Sequence, residues 1–147
     1  MNWRAEAIEK LQGYEAHCQA LEYIPQELSR LGVCSTGIRA AQLDGMPRAG
    51  SCSSSRENYM LDNITCRDDL KRKLKEARLW VEIVEGGLSI LDDEERLALE
   101  LCFIHRAKGA IMELCERLNV ENSTAYRRRD DALRRFTMAL YGALENP

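Results

Sequence analysis

The chain has 147 residues and a formal net charge of −3 at pH 7. With 45% hydrophobic and 31% charged residues, it has the composition of a globular protein, which excludes a disordered chain and a membrane-embedded one. No apolar run approaches the ~20 residues that a membrane helix needs, and the start MNWRAEAIEK carries acidic residues where a signal peptide would not. We therefore expect a cytoplasmic protein with no membrane partner.

Residues 1–31 are predicted to form an amphipathic helix, because apolar residues recur there at spacings of three and four. These residues are Ile8, Leu11, Tyr14, Cys18 and Leu21. Pro25 removes a backbone donor, so we expect a kink or restart there, and Gly32 is predicted to end the helix. Residues 32–55 are rich in Gly and Ser and show no lasting period, which predicts a flexible loop.

A second long helix with a heptad seam is predicted over residues 56–91. Its apolar residues alternate by four and three, as in a coiled coil. They are Leu70, Leu74, Ala77, Val81, Val84, Leu88 and Leu91. The seam suits either a hairpin with the first helix or a homodimer through the N-terminal helices, and the sequence leaves both open. Gly86 and Gly87 are expected to loosen the end of this helix.

Residues 92–147 are predicted to form a helical DNA-binding domain. The segment LDDEE places Asp92 and Glu95 at the spacing of a capping box, which we favour over a metal-dependent catalytic pair. Farther along, an apolar stripe indicates a short helix; it comprises Leu114, Cys115, Leu118 and Val120. Asn119 is predicted to adopt positive φ in a tight turn, and Asn122 to cap the helix that follows. That last helix is expected to close at Gly142.

The last helix is predicted to bury one face and present the other to DNA. The inward residues are Ala125, Ala132, Leu133, Phe136 and Leu140. The predicted DNA-binding residues are Asn122, Ser123, Thr124, Tyr126, Arg127, Arg128, Arg129, Arg106 and Lys108. Arg can fork to guanine O6 and N7, and the Asn amide matches adenine N6 and N7. We expect Arg106, Lys108 and Arg129 to contact phosphates. From His105 to Phe136, eight basic side chains stand against five acidic ones, which favours DNA over a solvated face.

The runs LDDEERLALELCFIHR, KGAIMELCERLNV and STAYRRRDDALRRF resemble region 4 of the bacterial sigma-70 family. The whole chain is similar to the ArpU and RinA type regulators of phages and prophages. The resemblance implies an all-α fold, a long N-terminal helical hairpin or coiled coil followed by a sigma region 4-like helix-turn-helix. It also implies activation of late genes with host RNA polymerase. The family's recognition contacts fall on Asn122, Ser123, Tyr126 and Arg127. Two residues depart from the pattern: Cys115 stands for the usual Ala, and Arg128 for a buried aliphatic residue.

Other classes of function receive less support from the sequence. Six cysteines are spread along the chain without a C-x-x-C motif, so we expect no metal site. The chain shows no nucleotide-binding loop and no triad of Ser, His and Asp, so we expect neither enzymatic activity nor a cofactor. The alternative function is a helical DNA-packaging or assembly adaptor that touches double-stranded DNA without reading its sequence.

Overall fold

The computed structural model describes the backbone of residues 1–41 and 53–144. Over these residues the chain is helical and forms no strand, which confirms the predicted all-α class. The helices are α1 (Trp3–Ala41), α2 (Ser53–Ser89), α3 (Asp93–Leu99), α4 (Ala110–Leu118) and α5 (Asn122–Tyr141). A π-helical turn, Glu100–Ile104, continues directly from α3.

The predicted end of the first helix at Gly32 is wrong. Helix α1 passes through Pro25 and Gly32 and ends at Ala41. A single glycine costs a helix only about 1 kcal/mol relative to alanine, so Gly32 by itself does not end α1. Helix α2 likewise begins at Ser53, before the predicted start. The predicted loop over 32–55 is therefore helical at both ends, and its centre, 42–52, lies outside the described residues.

Met1–Cys18 and Leu79–Pro147 form one compact unit of the chain. Its hydrophobic core takes side chains from every helix of the unit. The fully buried members are Ala7, Leu11, Val84, Ala98, Leu99, Leu114, Ala125, Ala132, Leu133 and Phe136. Within this unit α1 packs against α2, since Trp80 Nε1 donates to the Lys10 carbonyl oxygen at 3.0 Å. The same indole ring stacks on His17 with 4.3 Å between centroids.

Gln19–Arg78 forms the second compact unit, made from the remaining parts of α1 and α2. Ile24 and Ala77 are buried within it. Leu28 is half-buried, as are Leu70 and Leu74, two residues of the apolar seam that the sequence predicted. Among the described residues of the whole chain, no helix is both long enough and apolar enough to cross a bilayer.

The glycine pair near the end of α2 lies inside the helix. Helix α2 continues through Gly86 and Gly87 to Ser89. A Cβ atom built at Gly87 would lie 2.6 Å from Cε2 of Phe136, whereas one at Gly86 would meet nothing within 4 Å. Gly87 therefore permits α5 to approach α2 closely, and Gly86 has no such packing requirement.

Helix α3 begins with the predicted capping box. The Asp92 backbone N–H donates to the Glu95 carboxylate at 3.2 Å, which is the reciprocal contact of that motif. Asp93, Glu94 and Glu95 occupy the first turn, where negative charge is stabilised by the helix dipole. This acidic start of α3 lies beside α5 and supplies the ion-pair partners of Arg128 and Arg135.

Candidate nucleic-acid interface

The turn between α4 and α5 is built as the sequence predicted. Asn119 has φ 52° and ψ 52°, the left-handed conformation. The Cys115 carbonyl oxygen accepts from the Asn119 N–H and, at 3.1 Å, from the Val120 N–H. These two hydrogen bonds occupy a backbone carbonyl at the C-terminal end of α4. The chain then reverses direction within three residues. Helix α5 thus starts immediately beside the helix that supports it.

The residue that caps α5 is Glu121, one position before the predicted Asn122. Glu121 is extended (φ −77°, ψ 160°), and its side chain makes no capping hydrogen bond. Its carbonyl oxygen accepts from the Ala125 N–H at 2.9 Å, which makes Asn122 the first helical residue. The first turn of α5 therefore presents backbone N–H groups that no capping side chain covers, at the positive end of the helix dipole.

The inward face of α5 is confirmed. Ala125, Ala132, Leu133 and Phe136 are fully buried, and Leu114 of α4 is buried in the same core. Leu140 is half-buried against this core. Because consecutive helical residues are separated by about 100°, residues two positions before and after Ala125 lie on the opposite side of the helix from it.

The outward face of α5 begins with the predicted base-reading residues. Asn122, Ser123, Tyr126 and Arg127 are exposed, and Thr124 is half-buried. The Arg127 side chain makes no hydrogen bond or ion pair with any residue that the structure describes. Its guanidinium therefore keeps all of its donors for a ligand.

Arg128 and Arg135 lie on a different flank of α5, facing the acidic start of α3. Arg128 Nη1 donates to Glu94 Oε2. Arg135 Nη1 donates to Glu95 Oε2 at 2.6 Å, and this bond raises the pKa of the Arg135 guanidinium above its usual value. Arg128 was predicted to face outward with Ser123 and Arg127. Its pairing with Glu94 instead separates it from that stripe.

Arg129 is the most enclosed of the three consecutive arginines, with 28% of its side chain exposed. Its Nη2 lies 3.0 Å from Asp130 Oδ1, and its guanidinium lies over the Tyr126 ring, 5.0 Å from the centroid. This cation–π contact holds one face of the Tyr126 ring against the Arg129 side chain. Asp130 also accepts from Arg4 of α1 at 3.3 Å. The sequence contained no local signal for that link across the chain.

Arg106 and Lys108 lie in the exposed segment between the π-helical turn and α4. Arg106 has φ 47°, a left-handed backbone conformation that is uncommon for residues other than Gly, Asn and Asp. Neither residue has an ion-pair partner among the described residues. A groove of about 400 Å³ separates this segment from α5, with Ala107, Gly109, Asn122, Tyr126 and Arg129 among its lining residues.

Two further features of this surface were not predicted. Arg134 is exposed two turns after Arg127 on nearly the same face, and it too has no ion-pair partner among the described residues. The Cys115 thiol donates to Oδ1 of Asn122, with 3.2 Å between sulfur and oxygen. Burial raises the pKa of the nearby Cys102 thiol above its ordinary value, and this thiol lines the same groove.

Comparison with known proteins identifies no relative of this chain: no protein-family model, no curated protein and no solved structure matches it. The function is therefore inferred from the geometry of this surface and from the amino-acid sequence.

Proposed function

We propose that this protein is a sequence-specific double-stranded DNA-binding regulator of transcription, which reads the major groove with the first half of α5. One observation carries the proposal. Ser123, Tyr126 and Arg127 are exposed on one face of α5, whereas Ala125 on the opposite face is fully buried. A tight turn holds this helix against α4, so the exposed face belongs to a rigid element.

The dimensions of α5 suit this role. A helix with its side chains is about 10–12 Å across, and the major groove of B-form DNA is about 12 Å wide. Arg127 has no intramolecular partner to give up among the described residues, so it can fork to O6 and N7 of a guanine. A good bidentate pair of this kind contributes about 1–3 kcal/mol of discrimination against the wrong base.

Contacts to phosphates would position this helix. Arg106 and Lys108 supply cations beside α4, and Arg134 supplies a third farther along α5; none of the three has an ion-pair partner in the part of the chain that the structure describes. The uncapped N–H groups at the start of α5 are a further donor set for phosphate oxygens. Arg128 and Arg129 must first break their ion pairs with Glu94 and Asp130, so we expect both to contribute less to DNA binding than Arg127.

The class of regulator is inferred from the sequence resemblance to ArpU and RinA type proteins. On that basis we propose that the protein activates phage or prophage late genes together with host RNA polymerase. We further propose that its N-terminal helices mediate self-association or contact with the polymerase.

The test begins with selection of bound sites from a random duplex pool. Arg127→Ala is then titrated against the selected site and a scrambled duplex at one fixed salt concentration. We expect a loss of about 5- to 100-fold on the selected site and a much smaller loss on the scrambled duplex. Arg78→Ala is the matched control, because Arg78 is exposed in the other unit and also lacks an ion-pair partner among the described residues.

Other outcomes separate the alternatives. Equal losses of affinity for both duplexes would show that Arg127 contacts phosphates rather than bases. If the random pool yields no preferred site and scrambled competitor displaces all bound DNA, the protein is an assembly or packaging adaptor with non-specific DNA contact, and the proposed function is wrong.

A further inference from the structure

The Cys115 side chain of α4 contacts a proposed base-reading residue, Asn122. The Cys115 carbonyl oxygen already accepts two hydrogen bonds of the α4–α5 turn. Its thiol in turn donates to Oδ1 of Asn122 across 3.2 Å. Because Cys115 is half-buried and its backbone is tied into the turn, the thiol is a fixed donor beside the start of α5.

An exposed asparagine amide can present either end to a ligand, since a 180° rotation exchanges its oxygen for its nitrogen. A neighbouring thiol that donates to the amide oxygen breaks this symmetry, even though S–H is a weak donor and sulfur is a weak acceptor. At Cys115 it selects the orientation in which Oδ1 faces α4. The Nδ2 group, with two N–H donors, then lies on the side of the amide away from Cys115.

This orientation matters for base reading. A bidentate contact to adenine uses both an acceptor and a donor of the amide, whereas guanine N7 and O6 and thymine O4 are acceptors only. Cytosine presents its N4 amino group, a donor. An amide whose oxygen is engaged by a thiol offers its N–H donors first, which suits acceptor edges and disfavours cytosine.

We infer that Cys115 is a positioning residue for base specificity, an inference that rests on the proposed function. It holds the Asn122 amide so that this side chain reads a guanine or thymine acceptor edge rather than making the adenine contact expected from the sequence. Cys115 itself touches no base.

The base pair read by Asn122 is first located as the position at which Asn122→Ala loses its preference in the selected site. Cys115→Ala is then expected to reduce discrimination against cytosine at that base pair by about two- to threefold, the low end of the range for one neutral hydrogen bond, because S–H is a weak donor. It leaves the other positions of the site unchanged. Cys115→Ser keeps a donor at the same place and is expected to retain the preference of the natural chain.

A second measurement needs no DNA. The side-chain amide of Asn122, observed by NMR, is expected to be ordered in the natural chain and in Cys115→Ser, and to become mobile in Cys115→Ala. Equal amide order in all three, or an unchanged base preference in Cys115→Ala, overturns the inference. So does an equal loss at every position of the site, since that is the signature of a damaged fold.

The two proposals fail in different ways. If the natural chain selects no site, both the proposed function and the inferred base preference are wrong. The NMR measurement still decides whether Cys115 positions the Asn122 amide. If a site is selected and only the Cys115 variants behave alike, the proposed function stands and this inference is wrong.

Discussion

Gly87 lies where α2 approaches α5, and replacing it tests the packing behind the proposed reading helix. A Cβ atom at this position would lie 2.6 Å from Cε2 of Phe136 and 3.0 Å from Cδ2 of Leu140. Both distances are shorter than the 3.4 Å at which ordinary van der Waals contact begins. The Phe136 ring is fully buried, so it can give way only by displacing its own neighbours.

The adjacent Gly86 provides a matched control for the magnitude. In a helix interior, alanine is more stable than glycine by about 0.5–1 kcal/mol, a gain that both substitutions share. Forcing an extra carbon into a packed core costs roughly 1–3 kcal/mol. We expect Gly86→Ala to raise the free energy of unfolding by about 0.5–1 kcal/mol and Gly87→Ala to lower it by about 1 kcal/mol.

Urea denaturation and thermal denaturation, each followed by far-UV circular dichroism, measure both changes. For a chain of this length, 1 kcal/mol corresponds to a shift of about 2–4 °C in Tm. Equal stabilisation by the two alanines would refute the reasoning, because it would mean that Phe136 moves aside without cost.

Two further predictions concern the turn and the thiols. Asn119→Gly is expected to stabilise the protein by about 0.5–1 kcal/mol in the same denaturation assay, because glycine adopts the left-handed conformation without steric cost. Asn119→Ala should destabilise it, and a similar response to both substitutions would contradict the conformational explanation. In the folded protein, Cys102 should react with iodoacetamide more slowly than the exposed Cys66, because burial and a raised pKa reduce its thiolate population. Peptide mapping by mass spectrometry measures both rates, with the urea-unfolded chain as control; equal rates in the folded chain would show that Cys102 is not protected.

The arginines of α5 show how far prediction of the candidate site could go. Helical period alone placed Ser123 and Arg127 outside and Ala125 inside, and the structure agrees. The same period could not place Arg128, because its partner Glu94 lies 34 residues earlier in the chain. A charge pattern along one helix contains no information about which acidic group another helix brings beside it.

The sequence by itself determined the features that depend on a few neighbouring residues: the all-α class, the left-handed turn at Asn119, the buried stripe of α5 and the helix end at Gly142. Only the tertiary structure decided that Gly87 is a contact point for Phe136. It also decided that the Cys115 thiol faces Asn122. The physical reason is range: backbone conformation and hydrophobic period are local properties, whereas close approach between helices and the choice of a side chain's partner arise only when distant segments pack together.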